Sequence, residues 1–221
     1  MKKILILSVF AAIAFVGCKK KEMTVSTVVT VSYPTITLLG PQYLSTVVGG
    51  TYTLPAATAW DSFYKKSYTV VKNLGAVDLS TPGLYTITYS AKNDYGFVGT
   101  ANIYLAVTNV SDTLDLSGKY IRTVSSPNPN RVAFVTKLAR GLFMTSNVGG
   151  VDITDPTTGA IVSAAFAVLD PTTIDFGSQL TSAGTLTASN EVLSLAPADT
   201  TLSYAINLSG FGGQVRTFVK Q

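Results

Sequence analysis

Histidine is absent from the 221 residues, and cysteine and tryptophan each occur once. Without an imidazole there is no Ser-His-Asp or Cys-His unit and no histidine metal site. A single thiol makes neither an internal disulfide nor a cysteine-rich zinc cluster. Charge is also scarce, at 13% of residues, and the acids comprise ten Asp but only two Glu, Glu22 and Glu191. A glycosidase needs two carboxylates facing each other across the sugar, one of them with a raised pKa. Glu22 precedes the expected folded region, which leaves Glu191 as its single glutamate. These shortages argue against an enzyme, and no catalytic residue or cofactor is assigned. Asp152-Ile153-Thr154-Asp155 offers oxygen ligands of the kind a hard cation takes. Before Pro156, however, the aspartates read as turn formers, and no metal site is assigned.

At the amino terminus, Lys2-Lys3 precedes an apolar run from Ile4 to Val16, which ends at Gly17-Cys18 before Lys19-Lys20-Lys21-Glu22. A bilayer-spanning helix needs about 20 apolar residues, so this run is too short and has the layout of a secretory signal. Phe15-Val16-Gly17-Cys18 resembles the bacterial lipobox, with Phe15 where Leu is usual. The resemblance implies that residues 1–17 are removed and that Cys18 is lipidated and acylated; residues 18–32 then read as a tether, with Met23–Ser32 reading equally as a first edge strand. The alternative is an ordinary secretory signal followed by an unpaired cysteine. At about 0.8 kcal/mol per buried methylene, two or three acyl chains anchor a protein almost permanently. Removing the leader takes Lys2 and Lys3 with it, lowering the formal charge of +4 by two. The basic balance is then no argument for nucleic acid, and the expected partner at this end is a membrane.

From Met23 onward Thr and Val are abundant, and short runs of β-branched and aromatic residues are punctuated by Gly, Pro and Asn. No stretch holds a 3.6-residue period, and the class is all-β. Residues 33–110 carry alternating runs at Ile36–Leu38, Thr51–Leu54, Tyr68–Val71, Tyr85–Tyr89 and Ala101–Val107. Asn93-Asp94-Tyr95-Gly96 supplies a hairpin turn between the last two. In Thr81-Pro82-Gly83-Leu84-Tyr85 a Pro-Gly turn leads into a strand, and Tyr85 is the candidate for the tyrosine corner of an immunoglobulin-type sandwich.

With Pro34 to Leu38, Val48-Gly49-Gly50-Thr51-Tyr52, Ala59-Trp60-Asp61 and Thr81 to Tyr89, this half resembles the bacterial surface Ig-like domains. Those domains recur in lipoproteins of polysaccharide-harvesting Gram-negative bacteria. The resemblance implies an Ig-like β-sandwich on an outer-membrane protein, and it brings no catalytic residues. It breaks off after Asp61, where Ser62-Phe63-Tyr64-Lys65-Lys66 replaces the usual Gly-Asp turn.

Residues 111–115 read as a polar junction. Residues 116–221 hold eight further runs: Tyr120–Val124, Ala133–Leu138, Gly141–Ser146, Ile161–Leu169, Thr172–Phe176, Gly184–Thr187, Leu202–Leu208 and Gln214–Val219. They predict an antiparallel β-meander that closes as a barrel or packs as a sandwich. Through Leu116 to Arg122, Arg140-Gly141-Leu142-Phe143 and Arg216-Thr217-Phe218, this half resembles the second domain that follows the Ig-like module in the same lipoproteins.

Sugar recognition needs an exposed aromatic face ringed by polar groups. Trp60, Asp61, Phe63 and Tyr64, with Tyr68, Lys65 and Lys66 nearby, are the candidate ligand-binding cluster. Trp60 also reads as a packing residue, because it falls inside the Ig-like match. Phe143, Phe166, Phe176, Tyr204 and Phe211 either fill the second domain or line an open cleft in it. Asp112-Thr113-Leu114 resembles an O-glycosylation acceptor of the same bacterial group, with Thr113 as the modified residue. The resulting expectation is a non-catalytic surface lipoprotein that captures polysaccharide for an uptake system. The alternative is one that docks on an outer-membrane transporter or another envelope protein.

Overall fold

The computed structural model describes residues 29–123, 128–155, 157, 159–196 and 199–221, so the expected leader, Cys18 and most of the expected tether lie outside the described residues. Alternation of inward apolar and outward polar side chains produces sixteen strands and, among the described residues, no α-helix. The first seven are β1 (Thr35–Leu38), β2 (Tyr43–Val47), β3 (Ala57–Asp61), β4 (Lys66–Tyr68), β5 (Val71–Asn73), β6 (Gly83–Lys92) and β7 (Val98–Thr108). They form two sheets, ordered β1-β3-β4 and β2-β7-β6-β5, with β2 and β7 the parallel pair. Between the sheets Ile87, Tyr89, Ile103, Leu105 and Val107 are fully buried, and Ile36, Leu38, Tyr52 and Leu54 pack on them. This is the expected Ig-like sandwich. The Tyr85 hydroxyl donates to the Thr81 carbonyl at 2.8 Å, closing the corner its position predicts.

Two expected strands are not formed as read. Thr51–Leu54 alternates because Tyr52 and Leu54 point into the core, but the segment has no strand assignment. Tyr68–Val71 is divided: Tyr68 ends β4 beside β3, whereas Val71 starts β5 beside β6, so the chain changes sheets at Thr69-Val70. Side-chain period reports burial, and ladder partners must be found elsewhere.

The remaining strands are β8 (Gly118–Thr123), β9 (Val132–Ala139), β10 (Leu142–Thr145), β11 (Ala164–Asp170), β12 (Thr173–Asp175), β13 (Gln179–Thr181), β14 (Gly184–Leu195), β15 (Thr200–Asn207) and β16 (Val215–Lys220). All eight expected runs correspond to strands, Val124 at the end of the first lying outside the described residues, and the choice between barrel and sandwich is resolved by closure. β8 pairs with β9 and β16, and the ring closes where Thr173 of β12 meets Val192 of β14, giving an eight-stranded antiparallel barrel. β13 adds a short ninth strand on β14. The Tyr120 hydroxyl donates to the Leu116 carbonyl at 2.9 Å, a second tyrosine corner at the barrel's first strand.

Ser32–Gln221 is one compact unit, and the sandwich and barrel share a buried seam. Leu84, Tyr104 and Ala106 pack on Leu142, Ala165 and Ala167. The Leu84 N–H donates to Asp175 Oδ2 at 2.7 Å, and Thr86 Oγ1 donates to the Ser178 carbonyl at 3.0 Å. Thr108 Oγ1 donates to the Val168 carbonyl. Gly177 has a φ of +56°, and a Cβ there would stand 2.5 Å from the Leu84 carbonyl oxygen, so only glycine permits this approach. Flanking the polar junction, Val110 and Leu116 are buried in the barrel core.

Candidate ligand-binding tip of the Ig-like domain

Trp60 stands on the outer face of β3, the central strand of the smaller sheet. Period-2 geometry turns Ala59 and Asp61 inward and Thr58 and Trp60 outward, and the register sets Trp60 between Thr35 and Ser67. Two small neighbours leave the indole 48% exposed. The packing role implied by the Ig-like resemblance is therefore corrected: Trp60 is a surface residue.

Asp61, one position on, is fully buried. Its Oδ1 accepts from Ser32 Oγ at 2.7 Å and from the Phe63 and Tyr64 N–H groups at 3.1 Å each, while Oδ2 accepts from Asn93 Nδ2 at 3.2 Å. Burial alone would push this carboxyl up, but the hydrogen bonds from Ser32, Tyr64, Asn93 and Phe63 outweigh it and hold Asp61 below its ordinary value. Asp61 thus shapes the β3–β4 loop from beneath and does not face solvent, which corrects its place among ligand-contacting candidates.

Asn93, legible in the sequence only as a turn residue, is the other half of this fastening. It also donates to the Ser32 carbonyl at 2.9 Å and accepts from the Tyr95 and Phe97 N–H groups at 3.1 and 3.0 Å. The β3–β4 and β6–β7 loops are thereby fixed side by side. Above the fastening, Tyr64 stacks on Tyr95 with centroids 4.7 Å apart, and Phe63 meets Tyr64 edge-on at 5.0 Å. Phe63 is 57% exposed and Tyr95 52%. Lys66 pairs with Asp94 at 2.7 Å and lies over the Tyr68 ring at 5.3 Å. Lys65 closes the loop at a φ of +51°, in the left-handed region that favours glycine. Rigid aromatic faces with charged neighbours suit stacking on the C–H face of a sugar, or packing against an apolar protein surface.

The barrel aromatics do not form a cleft. Phe143, Phe166, Phe176, Tyr204 and Phe218 run through the interior with successive centroids 5.7, 5.3, 4.6 and 5.5 Å apart, and Phe211 covers them from one side. Between sandwich and barrel lies a polar cavity of about 430 Å³, lined by Gln42, the stacked pair Tyr43 and Tyr104, Ser163, Gln179 and Thr181. Thr113 occupies an exposed turn beside an apolar groove of about 380 Å³, and its hydroxyl bonds to Ser111 Oγ at 2.7 Å. Asp152 and Asp155 bind the N–H groups of Thr154 and Thr157 at 2.8 and 2.9 Å, in keeping with turn formation.

No curated protein matches the chain significantly. The crystal structure of a lipoprotein from Bacteroides thetaiotaomicron is 23% identical over 85% of this chain and 100% of that one. Its TM-score of 0.38 is too loose to carry an argument about fold or function. Residues 36–107 match the family of Ig-like domains of bacterial surface proteins, the part of the chain that presents the aromatic tip.

Proposed function

We propose that this is a lipid-anchored outer-membrane protein, displayed at the cell surface, that binds glycan without transforming it and passes it to a polysaccharide uptake system. The observation that carries the reading is the exposed Trp60 on the outer face of β3 and, on the loop that follows, the Phe63, Tyr64 and Tyr95 cluster on a base fastened by Asp61 and Asn93. The Phe15-Val16-Gly17-Cys18 motif supports the anchor, and the match to bacterial surface domains supports display. Aromatic faces recognise pyranose rings through their C–H bonds, and a fastened base spares the entropy of ordering them on binding. The barrel, with its aromatics consumed in the core, serves as the body that holds the Ig-like domain through the shared seam.

A second reading keeps the anchor and replaces sugar by protein. β5 is a sheet edge with Val71 exposed, a feature that suits strand addition by an envelope or transporter partner. A glycan array followed by calorimetry on the purified protein separates the two, with Trp60→Ala alongside. Saturable glycan binding that Trp60→Ala abolishes supports capture at the tip. Absence of glycan binding in the wild type, with crosslinking to a membrane neighbour, supports docking.

A further inference from the structure

Three guanidinium groups share the inner face at one end of the barrel. Tyr120 of β8 points inward, and Arg122, two residues on, takes the same direction. The Arg122 N–H donates to the Arg131 carbonyl at 3.0 Å, which extends the β8–β9 register and sets Arg131 opposite Arg122. Arg216 lies on β16, two residues before Phe218, the cross-strand partner of Arg122.

These arginines are served very unequally. Arg216, 5% exposed, donates Nε to the Gly149 carbonyl at 3.1 Å and its remaining nitrogens to the carbonyls of Gln214, Gly212 and Phe211. Arg122 gives Nη1 to the same Gly149 oxygen at 3.1 Å. Its Nε is buried without an acceptor. Arg131 Nε is likewise buried without an acceptor. Neither ion pair of the described residues, Lys66 with Asp94 and Lys137 with Asp112, involves this end of the barrel. The acid whose field reaches Arg131 is Asp152, whose oxygens take hydrogen bonds from Asn128 and Thr154.

An arginine's Nε and Nη2 together form the edge that grips two oxygens of one carboxylate or sulfate. In Arg122 the Nε of that edge is buried without an acceptor, while Nη1 on the other side is taken by the Gly149 carbonyl. We propose that the barrel end between Arg122 and Arg131 binds an oxyanion, the carboxylate or sulfate of an acidic ligand. This site is separate from the aromatic tip and does not depend on it. A bound anion offsets two costs: buried donors left unsatisfied, and like charges held together, since burial and then Arg216 and Arg131 lower the Arg122 pKa. The surrounding loop fixes the geometry, because a Cβ on Gly150 would fall 2.4 Å from Arg122 Cδ and one on Gly149 2.1 Å from the Phe211 ring.

The test is nitrogen-detected NMR of arginine side chains in the full chain, purified in detergent. Sodium sulfate, trigalacturonate and a neutral galactose trimer are titrated at constant ionic strength. The expected result is that the Arg122 and Arg131 Nε–H signals move with sulfate or trigalacturonate, the neutral trimer moves neither, and Arg122→Gln weakens binding about tenfold or more. A response to trigalacturonate places the anionic group on a saccharide; a response to sulfate alone identifies a free-anion site. Either supports the oxyanion. Unmoved Nε signals in the wild type would overturn it whether or not the variants fold, as would unchanged affinity in both Arg122→Gln and Arg131→Gln.

Discussion

The barrel interior and the tip of the Ig-like domain both collect aromatic rings at stacking distance, yet one set is sealed and the other lies open. In the barrel, closure between β12 and β14 gives the sheet an inside, and Phe166, Phe176 and Tyr204 have no other place to point. In the sandwich, β3 has one face on the core and one on solvent, so Trp60 shows its indole while its neighbour Asp61 is buried. An aromatic ring therefore signals core or surface according to which sheet face it occupies. Inside the barrel the rings supply stability. At the tip the polar pair Asp61 and Asn93 supplies rigidity, which frees the rings above it for contact.

Substitutions in the two regions should separate these roles. Phe166→Ala removes a fully buried ring touching two others and should cost about 3–5 kcal/mol of unfolding free energy, read by urea denaturation. Asn93→Ala leaves the buried Asp61 oxygen and the Tyr95 and Phe97 N–H groups without a partner. It should cost about 1–3 kcal/mol and also loosen the tip, seen as faster amide exchange at residues 62–65. Trp60→Ala should change stability by less than about 0.5 kcal/mol while abolishing glycan binding. Lys65→Gly should stabilise by about 0.5 kcal/mol, since relief of a left-handed conformation slightly exceeds the entropy added to the unfolded chain.

Acid should strike the fastening before the rings. The folded pKa values of Asp61, Asp78, Asp152 and Asp170 lie below the ordinary aspartate value. Their contribution is complete above the unfolded pKa of about 4 and is lost as pH falls through the folded values. Glu191 runs the other way: burial raises its pKa, so its protonation favours the fold as pH falls from that raised value towards the unfolded value of about 4, before most of the aspartates' loss sets in. The melting temperature should accordingly fall between about pH 4 and pH 2, and Asp61→Asn should flatten part of the slope.

Most of the fold was legible in the sequence because strands that bury one face write their period into it, as Tyr85, Ile87 and Tyr89 do in β6. The eight barrel runs could be read from short β-prone stretches between turn signals, and the Tyr85 corner from the Pro82-Gly83 turn that precedes it. What could not be read was pairing. Thr51–Leu54 alternates without a ladder, the break at Thr69-Val70 divides one run between two sheets, and barrel closure hangs on the single pair Thr173 and Val192. At the tip Trp60, Asp61, Phe63 and Tyr64 were legible as neighbours along the chain, but not how each side chain is placed. The exposure of Trp60 depends on the small side chains of Thr35 and Ser67, which only the register sets beside it. Asp61 and Asn93 are 32 positions apart, so no local pattern announces their bond.

Because Trp60 is the sole tryptophan, its fluorescence reports the outer face of β3 directly. The decisive measurement is acrylamide quenching of that emission in the free protein and with a glycan that calorimetry shows to be bound. The free protein should give solvent-exposed, readily quenched emission, with a blue shift and protection from acrylamide on binding. Emission that is already shielded in the free protein, or that stays equally quenchable with glycan bound, would contradict a binding site at Trp60.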